Sequence, residues 1–322
     1  GCLRNAFDDH GIDALLVTGN ENVAWLSGFT GDSSALLIDR SRGWFVTDFR
    51  YTEQASFETS GLDIVEHHKG IGAAVANLAA ENGLRRLGIE SSRMTVKAFN
   101  ELDGKLHEAL DGNVALVPLD GAVDSLRRVK DDGEIDAILR ALDVAQDTLE
   151  AVLAEPIPPT ERALADKLEF AMRERGAERA AFDIIVATGS HRSLPHYRPG
   201  DTPLVPDEPI LIDFGARVEG YNSDLTRMVG PSSIGGDERD IHRICLEAQR
   251  YAIEHIRPGM TAGDADALAR DRIVEAGYGE RFGHSLGHGV GLEVHEGPGI
   301  RKESTEVLKP GMVFTVEPGI YL

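Results

Sequence analysis

Cysteine is nearly absent, with Cys2 and Cys245 the only two in 322 residues. Two thiols so far apart make no disulfide framework, which points to a reducing compartment and a cytoplasmic protein. Apolar runs of about 20 residues, the length a membrane-spanning helix needs, are missing too. Positive charge is scarce: 33 Lys and Arg stand against 54 Asp and Glu, for a formal net charge of -21. So acidic a surface repels phosphate backbones and anionic headgroups, so neither nucleic acid nor a membrane is an expected partner. There is no long block of like charge and no low-complexity tract. The opening Gly1-Cys2-Leu3-Arg4 lacks an initiator Met and a signal-peptide pattern, and reads as a trimmed N-terminus.

What is present suits a globular chain with real cores, since 42% of residues are hydrophobic and 27% charged. Its length fits two domains of about 100–200 residues each. The first third alternates strand-like runs (14–18, 34–38, 44–47, 63–67, 86–90 and 113–118) with helical stretches near 50–60, 71–82 and 96–110, which predicts an α/β domain over 1–122. Beyond a break near Gly121, apolar residues at helical spacing predict a long helix over Asp131–Glu155. Thr160 is placed to cap the next helix, over 161–176. A strand over 182–187, a proline-studded loop from Pro195 to Pro209, and a hairpin of 210–215 with 221–229 about Glu219-Gly220 follow. Helices over 237–256 and 263–276, a Gly/His-rich segment and a strand over 313–317 complete an α+β domain over 123–322.

Several residues carry chemistry by their setting. Asp213 sits in Ile210-Leu211-Ile212-Asp213-Phe214-Gly215, where burial demands a cation or strong donors; a turn aspartate or a buried ion pair is the plainer alternative. Asp224, in Ser223-Asp224-Leu225-Thr226-Arg227, lies opposite or diagonal to Asp213 if the chain reverses near 218–220. Two carboxylates that close repel unless a cation lies between them; the alternative is a surface pair of Asp224 with Arg227. His284, His288 and His295 cluster among glycines. The 284/288 spacing matches a helical zinc pair, but Gly287, Gly289 and Gly291 oppose a helix and suggest close backbone approach to a ligand. Glu317 ends the apolar run Val313–Val316, and a strand-end glutamate facing water is its plain reading. Oxygen-rich ligation with one imidazole suits Mn²⁺, Co²⁺ or Zn²⁺, and carboxylate-bridged ion pairs supply hydroxide near neutral pH.

The series ILIDFG, SDLTR, GHSLGHGVGLEVHEGP and FTVEPGIY resembles the creatinase/prolidase/methionine aminopeptidase superfamily of pita-bread metallopeptidases. Leu194-Pro195-His196-Tyr197, with the size of the N-terminal domain, places the resemblance in the Xaa-Pro dipeptidase (prolidase) and aminopeptidase P branch. The resemblance implies a creatinase-like N-terminal α/β domain, a C-terminal pita-bread domain, two divalent metal ions with manganese first, a homodimer, and cleavage before proline in dipeptides or longer peptides. It implies that Asp213 binds one metal, that Asp224 bridges both, that His288 binds the other and that Glu317 is a further ligand. It places His196, His284 and His295 around the substrate, as catalytic and substrate-binding groups. It also implies a second glutamate ligand and a last strand beyond Leu322, so that the natural protein continues. Two other readings stay open at this level: a metal-free creatinase-like hydrolase, and a non-catalytic binding protein on the same fold.

Overall fold

The computed structural model describes residues 2–230 and 235–322. Gly1 and the side chain of Cys2, on which the reading of the N-terminus partly rests, lie outside the described residues; Cys245 is a free thiol. No helix among the described residues is long and apolar enough to cross a membrane. Internal contacts separate two compact units that meet between Arg127 and Arg128.

The first unit is an α/β layer structure. Its strands are β1 (Ala14–Val17), β2 (Ser34–Asp39), β3 (Gly43–Thr47), β4 (Asp63–Glu66), β5 (Arg86–Glu90) and β6 (Ala115–Leu119), in the order β4-β3-β2-β1-β5-β6. The interior strands β1 and β3 are buried along their whole length, as a sheet covered on both faces requires. On one face lie Val75, Leu78 and Ala79 of α4 (Ile71–Asn82) and Leu102 and Leu106 of α5 (Val96–Ala109). The other face is filled by Phe7 of α1 (Cys2–His10), Val23 of α2 (Asn20–Ser27) and Ala55 of α3 (Thr52–Glu58). Helices α1 and α2 have no counterpart in the sequence reading. The short α6 (Asp124–Arg127) stays with this unit, because buried Arg127 donates to Asn22 Oδ1 at 2.7 Å. That contact is why the unit runs past residue 122.

In the second unit, α7 (Asp132–Leu153) starts at a reciprocal cap between Asp131 and Glu134, and α8 (Glu161–Glu174) starts at Thr160, whose hydroxyl accepts from Ala163 N. The buried face of α7 runs through Ala137, Ile138, Ala141, Ala145 and Val152, and that of α8 through Leu164, Leu168 and Met172. Both pack on strands β7 (Arg179–Ala180), β8 (Ile185–Thr188), β9 (Ile210–Phe214), β10 (Ala216–Val218), β11 (Tyr221–Asn222) and β12 (Leu225–Val229). The strand expected over 182–187 is shifted to Ile185–Thr188. Helices α9 (Gly236–His255) and α10 (Ala262–Glu275) then lead to β13 (Gly287–Gly289) and β14 (Glu296–Ile300).

The hairpin expected over 210–229 is present but interrupted. Its turn has positive φ at both central residues, Glu219 (50°) and Gly220 (81°), the geometry that matches strand twist in a two-residue loop. One register runs throughout: Val218 pairs with Tyr221, and Asp213 pairs with Thr226. Between the two ladders the backbone pinches at Gly215, where a Cβ would lie 1.9 Å from Ser223 O. The segment 313–317 is extended rather than a regular strand. It joins β13 only through the Gly289–Phe314 bridge and bonds such as Thr315 N to His288 O (2.9 Å) and Glu317 N to Leu286 O (2.8 Å).

Gly215→Ala should therefore destabilise the second unit by about 3 kcal/mol, the upper end of overpacking penalties. The urea unfolding midpoint measures it, and a neutral substitution would show that the two backbones do not meet as described.

Candidate metal centre

The hairpin register sets two of the acids. Asp213 faces Thr226, and Asp224 lies two residues before Thr226, just ahead of β12, so the carboxylates are diagonal neighbours on one face. The expected proximity holds, and the alternative pairing of Asp224 with Arg227 does not: Arg227 donates to Thr226 O. Asp224 instead faces His288, with Oδ2 3.4 Å from Nε2. Glu317 approaches the same nitrogen, with Oε1 at 3.2 Å. His288 lies in β13, a strand rather than a helix, which disposes of a helical zinc pair. The glycines around it make room for protein, not for a ligand: a Cβ on Gly287 would meet Thr315 O at 2.0 Å.

Two threonines, which the sequence reading passed over, support the acids. Thr226 donates to Asp213 Oδ1 at 2.9 Å, and Thr315 donates to Glu317 Oε1 at 2.7 Å. Each stands two positions from an acid, Thr226 after Asp224 and Thr315 before Glu317, so strand alternation was the available signal.

The electrostatics follow from burial and crowding. Burial pushes the Asp213 carboxyl up to about 7; the neighbouring Asp224 adds to this and the Thr226 hydrogen bond opposes it. Burial disfavours charge on His288 too, but Asp224 and Glu317 outweigh it and hold its pKa up to about 10. Burial also works against ionised Glu317, yet hydrogen bonds from His288 and Thr315 keep it below its ordinary range.

The remaining histidines are placed around this cluster. The His295 ring lies 4.2 Å from that of His288, centroid to centroid, and its pKa is lowered first by burial and then by charge on His288. His284 Nδ1 lies 2.7 Å from Ser285 O, and Nε2 lies 2.9 Å from Tyr321 OH. His196 is exposed in the loop after β8, close enough to His295 to help lower its pKa.

A second set of buried charges, also absent from the sequence reading, fixes the backbone here. Asp266 and Arg270, one turn apart on α10, pair with side chains 1% and 7% exposed. Arg270 donates to Phe282 O (2.9 Å) and His284 O (2.7 Å), and Asp266 accepts from Leu286 N (3.0 Å). Lys130 pairs with Glu296, next to His295, at 2.7 Å.

Among the described residues no group of three or more His, Cys, Asp or Glu side chains is arranged as a ready-made metal cage. The donor chemistry nevertheless fits a divalent cation: three acids and one imidazole converge in apolar β-structure, and burial, with Asp224 beside it, drives Asp213 toward its neutral form.

Comparison with known proteins shows the family. Residues 136–322 match the model of metallopeptidase family M24, and residues 2–129 match the creatinase/prolidase N-terminal domain. The chain is 41% identical over 321 residues to the uncharacterised peptidase YqhT of Bacillus subtilis, covering 99% of this chain and 90% of that one. An Xaa-Pro dipeptidase structure from Bacillus anthracis superposes with a TM-score of 0.94 at 41% identity, covering 100% and 89% of the two chains. An X-Pro aminopeptidase from Thermotoga maritima superposes with a TM-score of 0.88 at 38% identity, covering 99% and 91%.

Thr226→Val should weaken divalent-metal affinity about 10–100-fold, the usual cost of removing a group that orients a ligand, with little change in stability. Chelator-competition titration reads the affinity; an unchanged value would take Asp213 out of the ligand set.

Proposed function

The chain belongs to metallopeptidase family M24, with a creatinase/prolidase N-terminal domain ahead of the M24 domain, and on that footing we propose that it hydrolyses the bond before proline in Xaa-Pro dipeptides with two divalent metal ions. The observation that carries the reading is the convergence of Asp213, Asp224 and Glu317 with His288 inside an M24 domain. Those four residues would hold the ions, manganese first and cobalt or zinc next. Such ions, when bound, supply an activated water and polarise a carbonyl.

The chain's own groups supply the rest. Glu317, more exposed than Asp224 (36% against 11%), would take a proton on its carboxylate and return it to the leaving proline nitrogen. His295, kept toward its neutral form, would offer a ring N–H to the oxygen that gains charge, a contribution of about 3 kcal/mol, and His284, whose ring nitrogens face Ser285 O and Tyr321 OH, would line the substrate site beside it. His196, on an exposed loop, meets the substrate from the solvent side. Preference for dipeptides is supported by the likeness to a dipeptidase structure at 41% identity, and the X-Pro aminopeptidase likeness makes longer peptides the alternative. The scarcity of cysteine supports a cytoplasmic setting, and the family resemblance supports a homodimer.

Loaded with Mn²⁺, the protein should cleave Ala-Pro faster than Ala-Pro-Ala and lose both activities on treatment with a chelator. Faster cleavage of the tripeptide would make it an Xaa-Pro aminopeptidase. Turnover indifferent to chelation would favour a metal-free hydrolase, and no turnover by folded, metal-loaded protein would favour a binding role.

A further inference from the structure

Glu161, the first residue of α8, is 0% exposed and takes no part in the metal centre. Its carboxylate gathers one loop from several sides. Oε1 accepts from Thr188 N at 3.0 Å and lies 3.0 Å from His191 Nδ1. Oε2 accepts from Tyr197 OH at 2.6 Å and from Gly200 N at 3.4 Å. The His191 and Tyr197 rings stack at 4.3 Å, and the backbone adds Arg162 N to Gly200 O at 3.0 Å. Burial opposes the ionised form, but the Tyr197, His191 and backbone donors outweigh it and hold Glu161 below its ordinary range.

A buried carboxylate is costly, and an apolar side chain would fill this place more cheaply. What only the carboxylate does is tie residue 188 to residues 191, 197 and 200 at one point. The span so closed contains His196, which is exposed and adjacent to Tyr197. We propose that Glu161 is a positioning residue: it holds the loop 188–200 in one conformation and thereby presents His196 to the substrate. The proposal rests on the reading of His196 as a substrate-contacting group in Xaa-Pro hydrolysis. Fixing such a group in place before substrate arrives is a recognised source of rate.

A double-mutant cycle on Ala-Pro hydrolysis by the Mn²⁺-loaded protein, read together with amide hydrogen exchange, tests it. Glu161→Gln should lower kcat/KM about 10–100-fold, the size of loss that a misplaced group brings. It should also expose the amides of Thr188 and Gly200 to exchange. Combined with His196→Ala it should cost nothing further, because the loss is already expressed through His196. Losses that multiply would show a merely structural role and overturn the proposal, as would unchanged exchange at the two amides. If Glu161→Gln fails to fold, Tyr197→Phe, which deletes a single bond, goes through the same cycle with the same criterion. Wild-type protein inactive on Ala-Pro, or His196→Ala with wild-type kinetics, would overturn the functional reading and the proposal with it; the exchange result distinguishes this from failure of the clamp alone.

Discussion

Three carboxylates crowded together in largely apolar β-structure around a single imidazole are the constraint on which the C-terminal unit is organised. Asp213 shows the tension most plainly, since burial and Asp224 drive it toward protonation near neutral pH. Unpaired charges in such a setting cost several kcal/mol each. His288 relieves part of the cost by standing between Asp224 and Glu317, but it leaves Asp213 without a cationic partner of its own. A divalent ion matches what the side chains demand, which is why the family assignment and the local electrostatics point the same way.

Holding the acids there takes exact backbone placement. The Glu219-Gly220 turn sets the register, the register puts Asp213 and Asp224 on one face, and the pinch at Gly215 keeps the two strands in step where the ladder breaks. On the other side, the bonds from 313–317 to Leu286 and His288 bring Glu317 level with the imidazole. The cluster is thus assembled from two pieces of β-structure, each with a close backbone contact that only glycine permits.

Much of this was legible in the sequence, because the information is local. An acid inside an apolar run reads as buried, and a two-residue turn fixes which residues oppose each other. Glycines through 287–291 were read as opposing a helix, and β13 is a strand. Their purpose was misread, since a bare backbone in the sequence does not say whether a ligand or another strand fills the space. Helix α2 was missed because a short helix between Gly19 and Gly28 carries little periodicity. Glu161, Asp266 and Arg270 were invisible as organisers for a different reason: the backbone groups they hold lie 12 to 39 positions away, and the i,i+4 spacing of Asp266 and Arg270 announces only their mutual pairing. Thr226 and Thr315 were legible in principle, because strand alternation puts them on the faces of the acids they support.

The Asp266–Arg270 pair has an evolutionary corollary. It grips three backbone groups between Phe282 and Leu286, so replacing either member alone strands a charge inside the fold and frees the chain that leads into His284 and His288. Relatives should therefore keep both residues or exchange both together. Divergence in substrate preference would then arise from side chains that project from the surrounding loops, while the peptide path beneath the histidines stays the same.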